Sequence, residues 1–170
     1  MKVFGFAGYS GSGKTTLMEQ VVAHLASRGF RVGVVKHSHH DCEVDAPGTD
    51  SWRHRRAGAA EVLLASPRRW VLIHETRHRP EPALGELIAH MAGCDLVLVE
   101  GFKHSVMPKL EVRRRAMAAP ALWEADDDIV AMVSDEAIGS SIPWFVPEDV
   151  VGIACFILRY LGLDTTRPDT

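Results

Sequence analysis

Apolar residues along this chain gather into short continuous runs. Between the runs they recur every three or four residues, a pattern that predicts strands alternating with helices. Lys2-Val3-Phe4-Gly5-Phe6-Ala7 reads as a first buried strand. Leu17, Val21, Val22 and Leu25 then follow helical spacing, so Thr15 to Ser27 is expected to form a helix that Gly29 ends. Arg31 to Lys36 reads as a second strand, and the polar stretch His37 to Asp50, with Pro47 and Gly48, as a loop. Ser51 to Gly58 is expected to be a short helix after an acidic or hydroxyl cap. Glu61 to Ala65 and Trp70 to His74, joined by Ser66-Pro67-Arg68-Arg69, predict an antiparallel pair. Leu84, Leu87, Ile88 and Met91 mark a helix stopped by Gly93. Leu96 to Val99 is a continuous apolar run of the kind found in central parallel strands. Further strands are expected at Lys109 to Arg113, Ile129 to Val133 and Pro143 to Val146, with Ala116 to Asp128 as a surface segment. The last helix, Glu148 to Leu161, is apolar round most of its circumference, which calls for deep burial or a second subunit. Thr165 to Thr170 reads as a frayed tail.

One stretch gives this alternation a purpose. Gly8-Tyr9-Ser10-Gly11-Ser12-Gly13-Lys14-Thr15-Thr16 satisfies the phosphate-loop pattern G-x-x-x-x-G-K-[ST], with a strand before it and a helix after it. The glycines free the backbone to turn several N–H groups inward as an anion nest, and the positive end of the helix dipole points at the same place. Lys14 is expected to reach the β- and γ-phosphates and the Thr15 hydroxyl to hold Mg2+. Gly8, Ser10, Gly11, Ser12, Gly13, Lys14, Thr15 and Thr16 are therefore the candidate nucleotide contacts. The fold class that follows is α/β, a P-loop NTPase-like three-layer domain with a mainly parallel sheet and an antiparallel strand pair. A single domain is expected over residues 1–163, with 164–170 as its tail.

Ligands of such sheets sit beyond the carboxyl ends of the strands. That rule selects the phosphate loop, the loop after Lys36 and the loop after Val99 as walls of one site. Phosphoryl chemistry also needs a carboxylate near the metal. Glu100, at the end of a buried-looking strand, is the leading candidate to hold Mg2+ or orient a water. Asp45 and Asp50, in and after a loop that also carries His37, His39 and His40, are alternatives for the metal, and Asp45 also for catalysis. The histidine-rich loop itself admits three roles: a transition-metal site, phosphate and Mg2+ handling, or a plain polar loop. Lys103 and Lys109 are candidates for the phosphates of a second ligand. Asp135 is a candidate acceptor for a guanine base, without an N-K-x-D sequence to support it. Arg113-Arg114-Arg115 reads as a kinase-like lid, an acidic-ligand patch or a charged edge strand. Asp126-Asp127-Asp128 reads as a solvated turn.

Composition narrows the classes further. The 170 residues suit one domain with a sizeable core. A net charge of −3 offers no basic field for nucleic acid. No apolar run approaches the length that crosses a bilayer, and because the first strand begins at once no cleavable leader is expected. Cys42, Cys94 and Cys155 stand far apart, as expected for a reduced cytoplasm, with Cys94 and Cys155 as small core residues.

Several blocks in order resemble the molybdopterin-guanine dinucleotide biosynthesis protein B family, MobB. They are the phosphate loop through Leu17, Lys36-His37-Ser38-His39-His40 with Asp45 and Pro47 to Ser51, and Arg53 to Ala59. Asp95 to Lys103 and Pro108 to Val112 complete the match, over about two-thirds of the chain. The resemblance implies a homodimeric protein that binds GTP with Mg2+, hydrolyses it slowly, and assists the guanylyltransferase that joins GMP to molybdopterin, with molybdopterin itself as a further ligand. A small-molecule kinase and a non-catalytic nucleotide or cofactor carrier are the rival readings. Slow hydrolysis accords with the lack of an identifiable arginine finger, for which Arg53 and Arg113 are the candidates.

Overall fold

The computed structural model describes residues 1–38, 42–117, 119–137, 139 and 141–166. It divides into two compact units, 1–37 with 84–170, and 38–83.

The larger unit holds a six-stranded sheet made of β1 (Lys2–Ala7), β2 (Val32–Lys36), β5 (Leu96–Glu100), β6 (Lys109–Arg113), β7 (Ile129–Ser134) and β8 (Trp144–Phe145). Its spatial order is β2-β5-β1-β6-β7-β8, and every neighbouring pair is parallel. The period of two along the strands supplies both faces. Phe4, Phe6, Leu96, Leu98, Leu110 and Val133 face one way and pack against α1 (Lys14–Ser27) and α4 (Val150–Tyr160). Val97 and Val99 face the other way, where Val3, Val35, Met107, Leu84 and Ile88 complete a smaller cluster with α3 (Leu84–Ala89). Helix, sheet and helix give the expected three layers.

The boundaries differ in instructive places. α3 stops at Ala89, and the Met91 that the spacing assigned to it sits on a turn whose amide bonds Ile88, before Gly93. α4 begins at Val150 because the Asp149 side chain accepts from the Gly152 amide and caps it there. Its Ile153, Ala154, Ile157 and Leu158 are fully buried, while Val151 is exposed. Cys94 and Cys155 are half-buried rather than core. β6 lies between β1 and β7, so the charged-edge reading of Arg113 to Arg115 fails. The sheet's edges are β2 and β8.

The smaller unit contains α2 (Asp50–Ala57) and the antiparallel hairpin of β3 (Glu61–Ala65) and β4 (Trp70–His74). The register pairs Ala65 with Trp70, as the four-residue connection requires. Arg55 of α2 ties this unit together. It forms a two-pronged ion pair with Asp45 and donates to Glu75 Oε1 at 2.5 Å, just past β4. No helix among the described residues is long and apolar enough to cross a membrane.

Candidate functional site

The phosphate loop leaves β1 at the centre of the sheet, and two of its glycines are needed by geometry. A Cβ on Gly8 would stand 2.3 Å from the Val112 carbonyl oxygen, so only glycine lets the loop cross the end of β6. Gly13 occupies the left-handed region, φ 93°, and turns the chain into α1. The first-turn amides of α1 consequently face the loop's interior.

Three strand or helix ends meet there. Thr15 Oγ1 donates to Glu100 Oε1 at 2.7 Å. The Lys36 ammonium lies 3.3 Å from Glu100 Oε2 and 3.4 Å from Thr15 Oγ1. This follows from parallel register: Lys36 ends β2 directly opposite Glu100, which ends β5. Lys14 Nζ donates to the Tyr9 carbonyl at 2.7 Å across the loop's mouth. Burial pushes the Lys14 ammonium below the ordinary lysine range, Glu100 partly restores it, and Lys36 lowers it again. Two cations thus share one carboxylate, an arrangement that a polyphosphate would relieve.

Thr15 and Glu100 offer a hydroxyl and a carboxylate oxygen, the hard donors Mg2+ takes beside nucleotide phosphates. The Lys36 ammonium already marks that spot as one that holds positive charge. The donor set therefore fits magnesium.

The remaining candidates have surroundings of their own. Asp45 and Asp50 belong to the smaller unit. Asp45 is bound by Arg55, whose hydrogen bonds hold its carboxyl below the usual carboxylate range, and Asp50 is exposed, 3.8 Å from Arg53. His39, His40 and Asp41 lie outside the described residues. The His37 ring packs tilted against Phe102, centroids 4.7 Å apart, and Phe102 follows Glu100-Gly101 with an unusual φ of 48°. Among the described residues no three His, Cys, Asp or Glu side chains converge as a metal site.

Lys103 is exposed and lines a cavity of about 350 Å³ with Ala7, Lys109 and Asp126. Lys109 is not free to serve a ligand. It is 2 % exposed and donates to Asp126 Oδ2 at 2.7 Å and to the Lys103 carbonyl at 2.9 Å. Asp126 is correspondingly the half-buried partner of a buried lysine rather than a purely solvated turn. Asp135 accepts from the Arg115 amide at 2.8 Å.

Two residues near the site were not singled out from sequence for the roles they take here. Lys36 stood before the loop already chosen as a wall, so its strand-terminal position was the available signal. Arg114 was part of the arginine run, and its guanidinium lies 3.1 Å from where a Gly13 Cβ would be.

The comparisons agree with one another. A family model described as Molybdopterin guanine dinucleotide synthesis protein B matches residues 3–135. The molybdopterin-guanine dinucleotide biosynthesis adapter protein of Escherichia coli is 39% identical over 162 residues, 94% of this chain and 93% of that protein. The adapter protein of Haemophilus influenzae is 43% identical over 136 residues, 78% of this chain and 74% of its own. A crystal structure of molybdopterin-guanine biosynthesis protein B superposes with a TM-score of 0.74 at 30% identity, covering 94% of this chain and 99% of that one. The MobB homologue of Bacillus stearothermophilus gives 0.70 at 28% identity, covering 95% and 99%.

Proposed function

This chain belongs to the molybdopterin guanine dinucleotide synthesis protein B family, and from that premise we propose that it is a GTP-binding adapter with slow GTPase activity, assisting attachment of GMP to molybdopterin. The observation that carries the nucleotide half of this reading is the meeting of Thr15, Glu100 and Lys36 at the mouth of a phosphate loop. The adapter half rests on relatives whose names state it.

Each residue has a task in this reading. The loop amides and the α1 terminus bind the α- and β-phosphates, and Lys14 leaves the Tyr9 carbonyl to reach the β- and γ-phosphates. Thr15 and Glu100 would hold Mg2+, which when bound would neutralise charge on the phosphate oxygens. Glu100 also accepts a hydrogen bond from water, orienting it toward the γ-phosphate. Lys36, now 3.3 Å from Glu100 Oε2, would be the cation available to the terminal phosphate once Glu100 served the metal. Arg113 and Asp45 are engaged otherwise: Arg113 donates to the Ala119 carbonyl, and Asp45 is paired to Arg55. Homodimerisation belongs to the same proposal. β3 and β4 expose Leu63, Leu64, Trp70, Val71 and Leu72, more apolar surface than a two-stranded hairpin leaves to water unaided.

The test is binding and turnover of GTP and ATP with Mg2+ by the wild type and Lys14→Ala, with and without a molybdopterin guanylyltransferase. The reading expects GTP preference, slow turnover without an acceptor, loss of both in the variant, and faster product formation when the transferase is present. Turnover that requires a metabolite acceptor would replace it with a kinase. Binding unchanged in Lys14→Ala would remove the phosphate loop from the site.

A further inference from the structure

Beside the phosphate loop lies a second cavity of about 350 Å³, lined by Ser12, Thr16, Gln20, Arg114, Pro147 and Glu148 among others. We infer that this is the nucleoside pocket, that Arg114 stacks on the purine, and that Glu148 selects guanine over adenine. The inference rests on the reading that the phosphate loop binds a nucleoside triphosphate.

Position is the first support. β6 ends at Arg113 and β8 at Phe145, so Arg114 and the Pro147-Glu148 pair both stand just past the carboxyl ends of parallel strands, where open sheets bind ligands. Thr16 and Gln20 supply the α1 wall, one helical turn apart and directly continuous with the loop that holds the phosphates. A nucleotide seated by its phosphates therefore reaches this cavity with its sugar and base.

The second support is a group left over. Ser12 is 1 % exposed, and its hydroxyl has no hydrogen-bond partner. It lines this same cavity. A buried hydroxyl without a partner costs free energy, and a phosphate or ribose oxygen arriving in the cavity would satisfy it.

The third support is the chemistry of the rim. Among the described residues, the Arg114 guanidinium and the Glu148 carboxylate have neither an ion pair nor a hydrogen bond. A guanidinium plane stacks on a base face without reading its edge. An ionised carboxylate only accepts hydrogen bonds. Guanine presents two adjacent donors, N1–H and the N2 amino group, whereas adenine presents an acceptor at N1. A carboxylate pairs with the first edge and is left desolvated and unpaired against the second. Asp135, the acceptor suggested by sequence, is instead occupied by the Arg115 amide.

Calorimetric titrations of the wild type, Glu148→Gln, Arg114→Ala and Lys14→Ala with GTP, ATP, XTP and inorganic tripolyphosphate, all with Mg2+, separate the possibilities. Glu148→Gln is expected to lose about tenfold to a hundredfold in GTP affinity and to gain XTP, because a carboxamide donates to the C2 carbonyl of xanthine. Its tripolyphosphate affinity should not move, which also reports an intact fold. Arg114→Ala should weaken GTP and ATP by the same factor. If Glu148→Gln keeps the wild-type order of GTP, ATP and XTP while tripolyphosphate still binds, the nucleoside pocket lies elsewhere and the phosphate-loop reading survives. Equal affinity of the wild type for GTP and ATP would overturn guanine selection. If Lys14→Ala binds tripolyphosphate and GTP as the wild type does, the phosphate-loop reading fails and takes this inference with it.

Discussion

Lys14 illustrates how a residue found by pattern acquires its properties from neighbours that the pattern does not name. Its ammonium is partly desolvated and faces both Glu100 and Lys36. A lowered pKa means the free protein releases this proton below the ordinary lysine value of 10.5. Triphosphate favours the charged form, so binding at alkaline pH should take up a proton, and affinity should fall as pH rises toward that value. Titrations in buffers of different ionisation enthalpy measure the uptake. No uptake at pH 9 to 10 would mean Lys14 does not meet the phosphates. The loop motif was legible because Gly8, Gly13, Lys14 and Thr15 fall at fixed local spacing. Lys36 was not legible, since its role depends on a register between strands 64 residues apart in the chain. Lys109 shows the reverse error: a lysine offered to a ligand is 2 % exposed and committed to Asp126. Asp126→Ala should cost up to about 3 kcal/mol in chemical denaturation, because it leaves a buried ammonium with only the Lys103 carbonyl and the more distant Asp128 carboxylate. Lys109→Met combined with Asp126→Leu should recover most of that loss. A single variant as stable as the wild type would show that the ion pair contributes nothing.

Elements were easier to read than their arrangement. Strand identities followed from apolar runs, but the order β2-β5-β1-β6-β7-β8 does not follow the sequence, which is why a charged edge strand stood among the readings of Arg113 to Arg115. The hairpin carries an element's worth of unmet demand. Register pairs Leu63 with Leu72 on one face and Leu64 with Val71 on the other, so both faces are apolar. Apolar strands of this kind are normally covered on both sides. A second copy of the chain is the proposed cover, and Leu63→Lys with Leu72→Lys should convert a dimer to a monomer in sedimentation without abolishing tripolyphosphate binding. A wild type that sediments as a monomer at every concentration would defeat that proposal. Arg55 gives the same unit an acid sensitivity. Its hydrogen bonds lower the Asp45 carboxyl from the ordinary 3.8, so their stabilisation is complete above that value and fades as pH falls through the folded-state pKa. Amide exchange of α2 should accelerate over that acid range in the wild type and be fast throughout in Asp45→Asn.

At the scale of the molecule, the chain divides into two compact units that differ in how much apolar side chain they bury. The larger unit has the continuous buried core, with Phe4, Leu25, Leu98, Leu110 and Ile157 all at 0 % exposure. In the smaller unit Val62 is the buried large apolar residue, at 9 %. Stability follows buried apolar area, so the smaller unit should open at the lower free energy and its amides should exchange first. Nucleotide contacts in the proposed site come from the phosphate loop, α1 and the ends of β2 and β5, with Arg114 past β6 and Glu148 past β8, all in the larger unit. GTP with Mg2+ at a hundred times its dissociation constant stabilises the state that binds it by about 2.7 kcal/mol. Hydrogen exchange should record that gain in β1, α1 and β5, and leave β3 and β4 nearly unchanged. Lys14→Ala should erase it. Protection that rises equally in the hairpin would show that the two units respond as one body, and nucleotide would then be a signal the whole adapter can pass to a partner.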